Sequence, residues 1–140
     1  MPRSDSQPQA GDQRPAQRVP WTPAKERVGG PIRSGSLVFV GGIGGWYPDR
    51  RPEGPGDARR QLSDALELMK AALERAGTSM AAVLQVQVSL VDPTKNWEAV
   101  EEVFRQAFPE PRPTLSCFGT TGFRRGDGQL LQVDSIATIK

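Results

Sequence analysis

Leu84, Val86, Val88 and Leu90 alternate with Gln85, Gln87 and Ser89, a two-residue period that predicts a strand over 83–91. One face of that strand is apolar and the other polar, as in a sheet covered on one side only. Elsewhere the period lengthens. Leu62, Leu66, Met69 and Leu73 recur at helical spacing behind Asp57, a good N-cap, and ahead of Gly77, a good C′ glycine, so a helix is expected from 57 to 76. Trp97, Val100, Val103 and Phe104 share one face of a second helix, expected from Asn96 to Phe108, and Asp92-Pro93 closes the strand before it. Gly30 to Ser34 lead through a turn at Gly35-Ser36 into the apolar run Leu37–Val40. Two further strands are expected at Thr114–Phe118 and Leu130–Ile139. The order strand, strand, helix, strand, helix, strand, strand describes an α+β fold, a mixed β-sheet with two helices packed on one face. No helix remains for the polar face of Gln85, Gln87 and Ser89, so association with further copies is expected there.

Residues 1–20 change the picture at one end. They are rich in Gln, Pro, Arg, Ser and Asp and nearly devoid of apolar side chains, so they cannot offset their ordering entropy and should form a flexible arm ahead of a domain over 21–140. Trp21 is expected to dock on the domain or on a neighbour. The first twenty residues hold no apolar run, so neither a signal peptide nor a membrane span is expected, and no membrane partner. Eighteen Lys and Arg against sixteen Asp and Glu leave a net charge of +2, too weak a field to call for nucleic acid. The single cysteine, Cys117, excludes an intrachain disulfide and suits a reducing, cytoplasmic setting; its alternation points it toward the core. With no histidine, no Ser-His-Asp or Cys-His arrangement and no histidine-containing zinc site can be built. Neither a metal nor a cofactor is expected. GGIGGW lacks the Lys-Ser/Thr and the helix of a phosphate loop, and reads instead as a tight strand exit that leaves backbone N–H groups open to a ligand.

Four features carry a likeness: LVFVGGIG, the amphipathic helix around Gln61, the strand VLQVQVSLVD, and PEPRPTLSCF ahead of LLQVDSIATIK. Together, from about Arg27 to Lys140, the chain resembles the Rid family (YjgF/RidA-like), small trimeric enamine/imine deaminases. That resemblance implies a chorismate-mutase-like fold and a homotrimer whose sheets enclose a central β-barrel, with ligand clefts between subunits. It implies a small-molecule substrate bearing a carboxylate, hydrolysed from an enamine or imine to a keto compound and ammonia. It also implies that Arg112, in the family's P-x-R context, grips the carboxylate, which a guanidinium can do through two parallel hydrogen bonds. The helix glutamine corresponds to Gln61, with a structural role.

The pattern departs from the family at several positions. The glutamate of the family's final strand, which positions or activates the hydrolytic water, is Gln132 here, and Asp134 matches the second acidic position. An amide orients water but accepts no proton from it at neutral pH. The family tyrosine ahead of the first long strand is Val28, its S-G-Q is Gly41-Gly42-Ile43, and Trp46 with Tyr47 would form an apolar lid. Gln132 and Asp134 are thus the expected catalytic positions, and Arg112, Gly42, Ile43, Trp46 and Val28 the expected substrate contacts. These departures leave two alternatives open: an isomerase, cyclase or dehydratase of a biosynthetic pathway using the same cleft, or a non-catalytic metabolite-binding trimer. The ribonuclease activity ascribed to some relatives fits worst, for want of histidine and of a basic groove.

Overall fold

The helices begin and end where side-chain chemistry stops them. The computed structural model describes residues 16–19, 30–124 and 127–139. Helix α1 spans Ala58–Arg75, and the Asp57 carboxylate accepts the Arg60 N–H at 2.9 Å to cap it. At its far end Gly77 takes φ +93°, which only glycine adopts without strain. Thr78 N–H then reaches Leu73 O and Gly77 N–H reaches Glu74 O, closing a Schellman turn. Leu62, Met69 and Leu73, the apolar stripe foreseen from the periodicity, are 1% exposed or less. Truncating any of them to Ala would cost about 2–5 kcal/mol in transfer and cavity energy. Helix α2 runs Pro93–Ala107, starting three residues before the expected Asn96. Asp92 turns the chain in the left-handed region at φ 52°, and Pro93 serves as the first helical residue, where its missing N–H costs nothing.

The strands are β1 Gln17–Arg18, β2 Ile32–Ser34, β3 Leu37–Gly44, β4 Val83–Val91, β5 Thr114–Thr120 and β6 Leu131–Thr138. They form one six-stranded sheet in the order β1-β2-β3-β6-β4-β5. Every pairing is antiparallel except β4 with β5, which are joined through α2. Strands β3 and β4 both lie antiparallel to β6, so the crossover through α1 leaves room for β6 to insert between them. Both helices lie on one side of this mixed sheet and bury Val38, Val40, Val86, Val88, Leu131 and Val133.

Further boundaries differ from the sequence reading, and β5 runs on to Thr120, two residues past the expected Phe118. β3 continues four residues past Val40, through Gly44, because a bulge at Gly41-Gly42 absorbs the glycines without ending the strand. Residues 17–19, expected in the flexible arm, are ordered: Gln17 and Arg18 pair with β2, Val19 N–H donates to Pro31 O at 2.7 Å, and Val19 is only 9% exposed. The rest of the arm, and Trp21, lie outside the described residues.

Candidate functional site

Among the described residues nothing covers the face opposite the helices. Pairing registers place Gln85, Gln87 and Ser89 of β4, Gln132, Asp134 and Ile136 of β6, Phe39 of β3 and Phe118 of β5 on that side. Phe39 is 40% and Phe118 53% exposed, so the polar face foreseen from the alternation of β4 also carries large apolar groups. A shallow cavity of about 240 Å³ opens on it, lined by Phe39, Gly41, Gln85, Gln87, Asp134 and Ile136 among others.

Asp134 is built into this face by the bulge. Gly42 takes φ +72°, which turns its N–H toward Asp134, and the carboxylate accepts it at 2.8 Å. A Cβ on Gly41 would lie 2.6 Å from the same Asp134 oxygen, so glycine is required for this approach. Asp134 thus spends one oxygen on holding the bulge, a task its expected catalytic role did not foresee. The signal was present in the sequence, since paired glycines inside a strand mark a bulge or a close backbone approach.

The same bulge overturns the expectation for Ile43. An extra residue shifts the alternation, so the inward positions Val38 and Val40 are followed by Ile43, which is 1% exposed and faces the helices. Its side chain belongs to the core and cannot line a ligand cleft. Gly42 is exposed, but its N–H is already taken by Asp134. Val28 lies outside the described residues.

Gln132 is half-buried near one end of the sheet, opposite Gly44 on one side and Ser89 on the other. Arg112 is at the other end. Thr114 is level with Gln85, and Gln85 with Ile136, so Arg112 and Gln132 are about 20 Å apart along the strands at about 3.3 Å per residue. One protomer does not bring them together. The Arg112 guanidinium donates through Nη1 to the Glu110 carboxylate, whose side chain is 77% exposed, and its Nε–H is shielded without an acceptor among the described residues. Beside this segment Met80, Val83, Phe108, Pro111 and Pro113 line an apolar hollow of about 260 Å³.

Trp46 faces elsewhere. Its indole N–H donates to Arg51 O at 3.1 Å, and it borders a cavity on the helix side of the sheet, between the loop after β3 and α1. That loop is pinned by Arg51, which the sequence reading overlooked. Arg51 is 7% exposed and bonds Asp64 at 2.8 Å and the carbonyls of Gly54 and Pro55 at 2.5 Å each. Tyr47 hydroxyl accepts the Gly44 N–H at 2.9 Å. Gln61 is wholly buried, and its amide accepts from Leu130 N–H at 2.8 Å and donates to Gly128 O at 2.9 Å, which bears out its structural role. Cys117 is half-buried against the core side as expected, and burial pushes its thiol pKa up. Among the described residues no group of three or more Cys, Asp or Glu is placed to hold a metal, and no helix is long and apolar enough to cross a membrane.

Comparison with known proteins gives this arrangement a lineage. The family model described as endoribonuclease L-PSP matches residues 13–139. A RutC family protein of Pyrococcus abyssi is 33% identical over 82 residues, a match spanning 59% of this chain and 64% of that relative's length. The crystal structure of a Mycobacterium tuberculosis protein of the YjgF/YER057c/UK114 family superposes with a TM-score of 0.72 at 27% identity, covering 89% of this chain and all (100%) of the other. RidA from the Antarctic bacterium Psychrobacter sp. PAMC 21119 gives 0.73 at 25% identity, covering 87% of this chain and 94% of that one. With the fold and the matched sequence in agreement, this chain belongs to the Rid (YjgF/RidA) family.

Proposed function

We propose that the protein is a homotrimeric small-molecule hydrolase acting on a carboxylate-bearing enamine or imine, in clefts formed between protomers. One observation carries the reading: Arg112 and Gln132 sit at opposite ends of a sheet whose outer face, with Phe39 and Phe118 exposed, has no cover among the described residues. Packing such faces together hides the aromatic rings, and it brings one protomer's Arg112 end toward another's Gln132 end. The enamine tautomerises to its imine, and Arg112 exchanges its Glu110 contact for the ligand's carboxylate. Water, oriented by the Gln132 amide, adds to the imine carbon; the nitrogen takes up a proton, the C–N bond breaks, and ammonia leaves with a keto acid. Orientation and charge complementarity supply the acceleration.

A second reading rests on a different observation. Asp134 spends one oxygen on Gly42 N–H and the family's final-strand glutamate is Gln132, an amide, so the position expected to activate water carries no base. That favours a pathway enzyme (an isomerase, cyclase or dehydratase) using the same cleft without base-assisted hydrolysis. A ribonuclease reading has the family model's description on its side but fits these residues worst, since the chain contains no histidine and its eighteen cations are nearly balanced by sixteen acidic residues.

The test measures ammonia released from enzymatically generated 2-aminoacrylate. Arg112→Ala should abolish turnover with the assembly intact, and Arg112→Lys should recover little, since an ammonium cannot reproduce the planar fork. Gln132→Glu should raise release if the first reading holds; under the second, the wild type releases little ammonia. Strong wild-type deamination that survives Arg112→Ala would sink both readings. A monomeric mass in light scattering would sink the composite cleft.

A further inference from the structure

The cavity bordered by Trp46 lies on the helix side of the sheet, away from the face that carries Gln132 and Asp134. It holds about 180 Å³, and its walls come from the loop after β3 on one side and from α1 on the other. Its polar lining is uneven in a way that points to a ligand. Arg51 and Asp64 satisfy each other at 2.8 Å, and Arg60 shares Asp64 at 3.3 Å. Arg50 and Glu67 also line the cavity, and neither side chain has a hydrogen bond or ion pair among the described residues. One unpaired side-chain cation and one unpaired carboxylate therefore border the same hollow, which Trp46, Tyr47 and Leu68 also line.

The frame is rigid before any ligand arrives. Arg51 clamps the loop through three bonds, the Trp46 indole is tethered to Arg51 O, and Tyr47 is tethered to Gly44. The hollow is largely polar, with five charged side chains around Trp46, Tyr47 and Leu68, and because it is preorganised little ordering entropy is left to lose on binding. Opposite charges on its rim select a ligand that carries both signs on a short apolar body. We propose that this cavity binds a small zwitterion, a free α-amino acid, with its carboxylate on Arg50, its ammonium on Glu67 and its side chain against Trp46. Such a site is separate from the inter-protomer cleft and does not depend on the reading given for it.

Isothermal titration of the full-length protein with L-leucine, 4-methylpentanoate and 3-methylbutylamine tests this directly. L-Leucine should bind saturably, and each analogue, lacking one charge, about tenfold more weakly, the effect of one charge-assisted hydrogen bond at a partly open site. Arg50→Gln should weaken L-leucine about tenfold while leaving the amine unchanged, and Glu67→Gln should do the reverse with the acid as its insensitive partner. Both positions are exposed and unpaired, so the variants should keep the wild-type circular dichroism. Arg112→Ala should leave L-leucine binding intact. The proposal is overturned if L-leucine shows no saturable binding at millimolar concentration, if either single-charge analogue binds as well as the zwitterion, or if binding is lost in Arg112→Ala but kept in Arg50→Gln.

Discussion

Replacing Gln61 by leucine isolates what one buried amide does for the segment that leads to Gln132. The side chains are similar in volume, and the position is 0% exposed, so packing is nearly conserved and hydrogen bonding is removed. Three bonds disappear: Leu130 N–H to Gln61 Oε1 at 2.8 Å, and Nε2 to Gly128 O at 2.9 Å and to Gly56 O at 3.3 Å. Gly128 and Gly56 are exposed, and their carbonyls can turn to water, which limits each loss to about 0.5–1 kcal/mol. Leu130 N–H is only half-exposed and faces the new leucine, so its unmet donor costs about 1–3 kcal/mol. The sum is about 2–5 kcal/mol. At roughly 3 °C per kcal/mol for a chain of this size, Tm should fall by roughly 6–15 °C. Thermal unfolding by circular dichroism, with both proteins at the same concentration because assembly shifts Tm by mass action, gives the number. Amide exchange at Leu130 and Leu131 should accelerate first, since those residues lose their tie to α1. A change in Tm below about 2 °C, with Leu130 still protected, would refute the argument that this amide holds the start of β6.

Removing residues 1–15 should leave Tm unchanged, because that stretch holds almost no apolar surface to bury, whereas removing 1–19 should lower it. The longer cut takes away β1 and Val19, worth about 1.5–3 kcal/mol by burial alone; equal melting of the two truncations would contradict the docked strand. Gly41→Ala should destabilise by about 1–2 kcal/mol in urea, because its Cβ displaces the Asp134 carboxylate from Gly42. In an Asp134→Ala background it should be almost neutral, and an additive double-mutant cycle would contradict the contact. Cys117 should label slowly at neutral pH. Burial raises its pKa, which keeps it protonated through the ordinary thiol range, so its reaction with a disulfide reagent should climb only at more alkaline pH than free cysteine requires; fast labelling at pH 7 would exclude the burial argument.

Local physics fixed much of this fold before any contact between distant residues. The helical stripe of Leu62, Leu66, Met69 and Leu73, its Asp57 cap and its Gly77 stop, and the alternation from Val86 to Leu90 each act within a few residues, so they were legible; Leu84, expected on the same apolar face, is 50% exposed because the register shifts between Val83 and Gln85. The family was legible for the same reason, since LVFVGGIG, the helix around Gln61 and LLQVDSIATIK are contiguous runs. Long-range pairing decided the rest. Whether Ile43 faces core or cleft depends on one extra residue at Gly41-Gly42, and that bulge is tied down by Asp134, on a strand far along the chain, which accepts the Gly42 N–H. Trp46 and Arg51 are bound in a loop whose shape is set by Asp64 on α1, and no spacing in the sequence announces that partnership. Arg112 and Gln132 look like neighbours because twenty residues separate them, yet β5 runs parallel to β4 and β6 antiparallel to it, so the two side chains end at opposite ends of the sheet. Periodicity tells a residue which way to face along its own strand; only strand order and direction tell it what it will meet there.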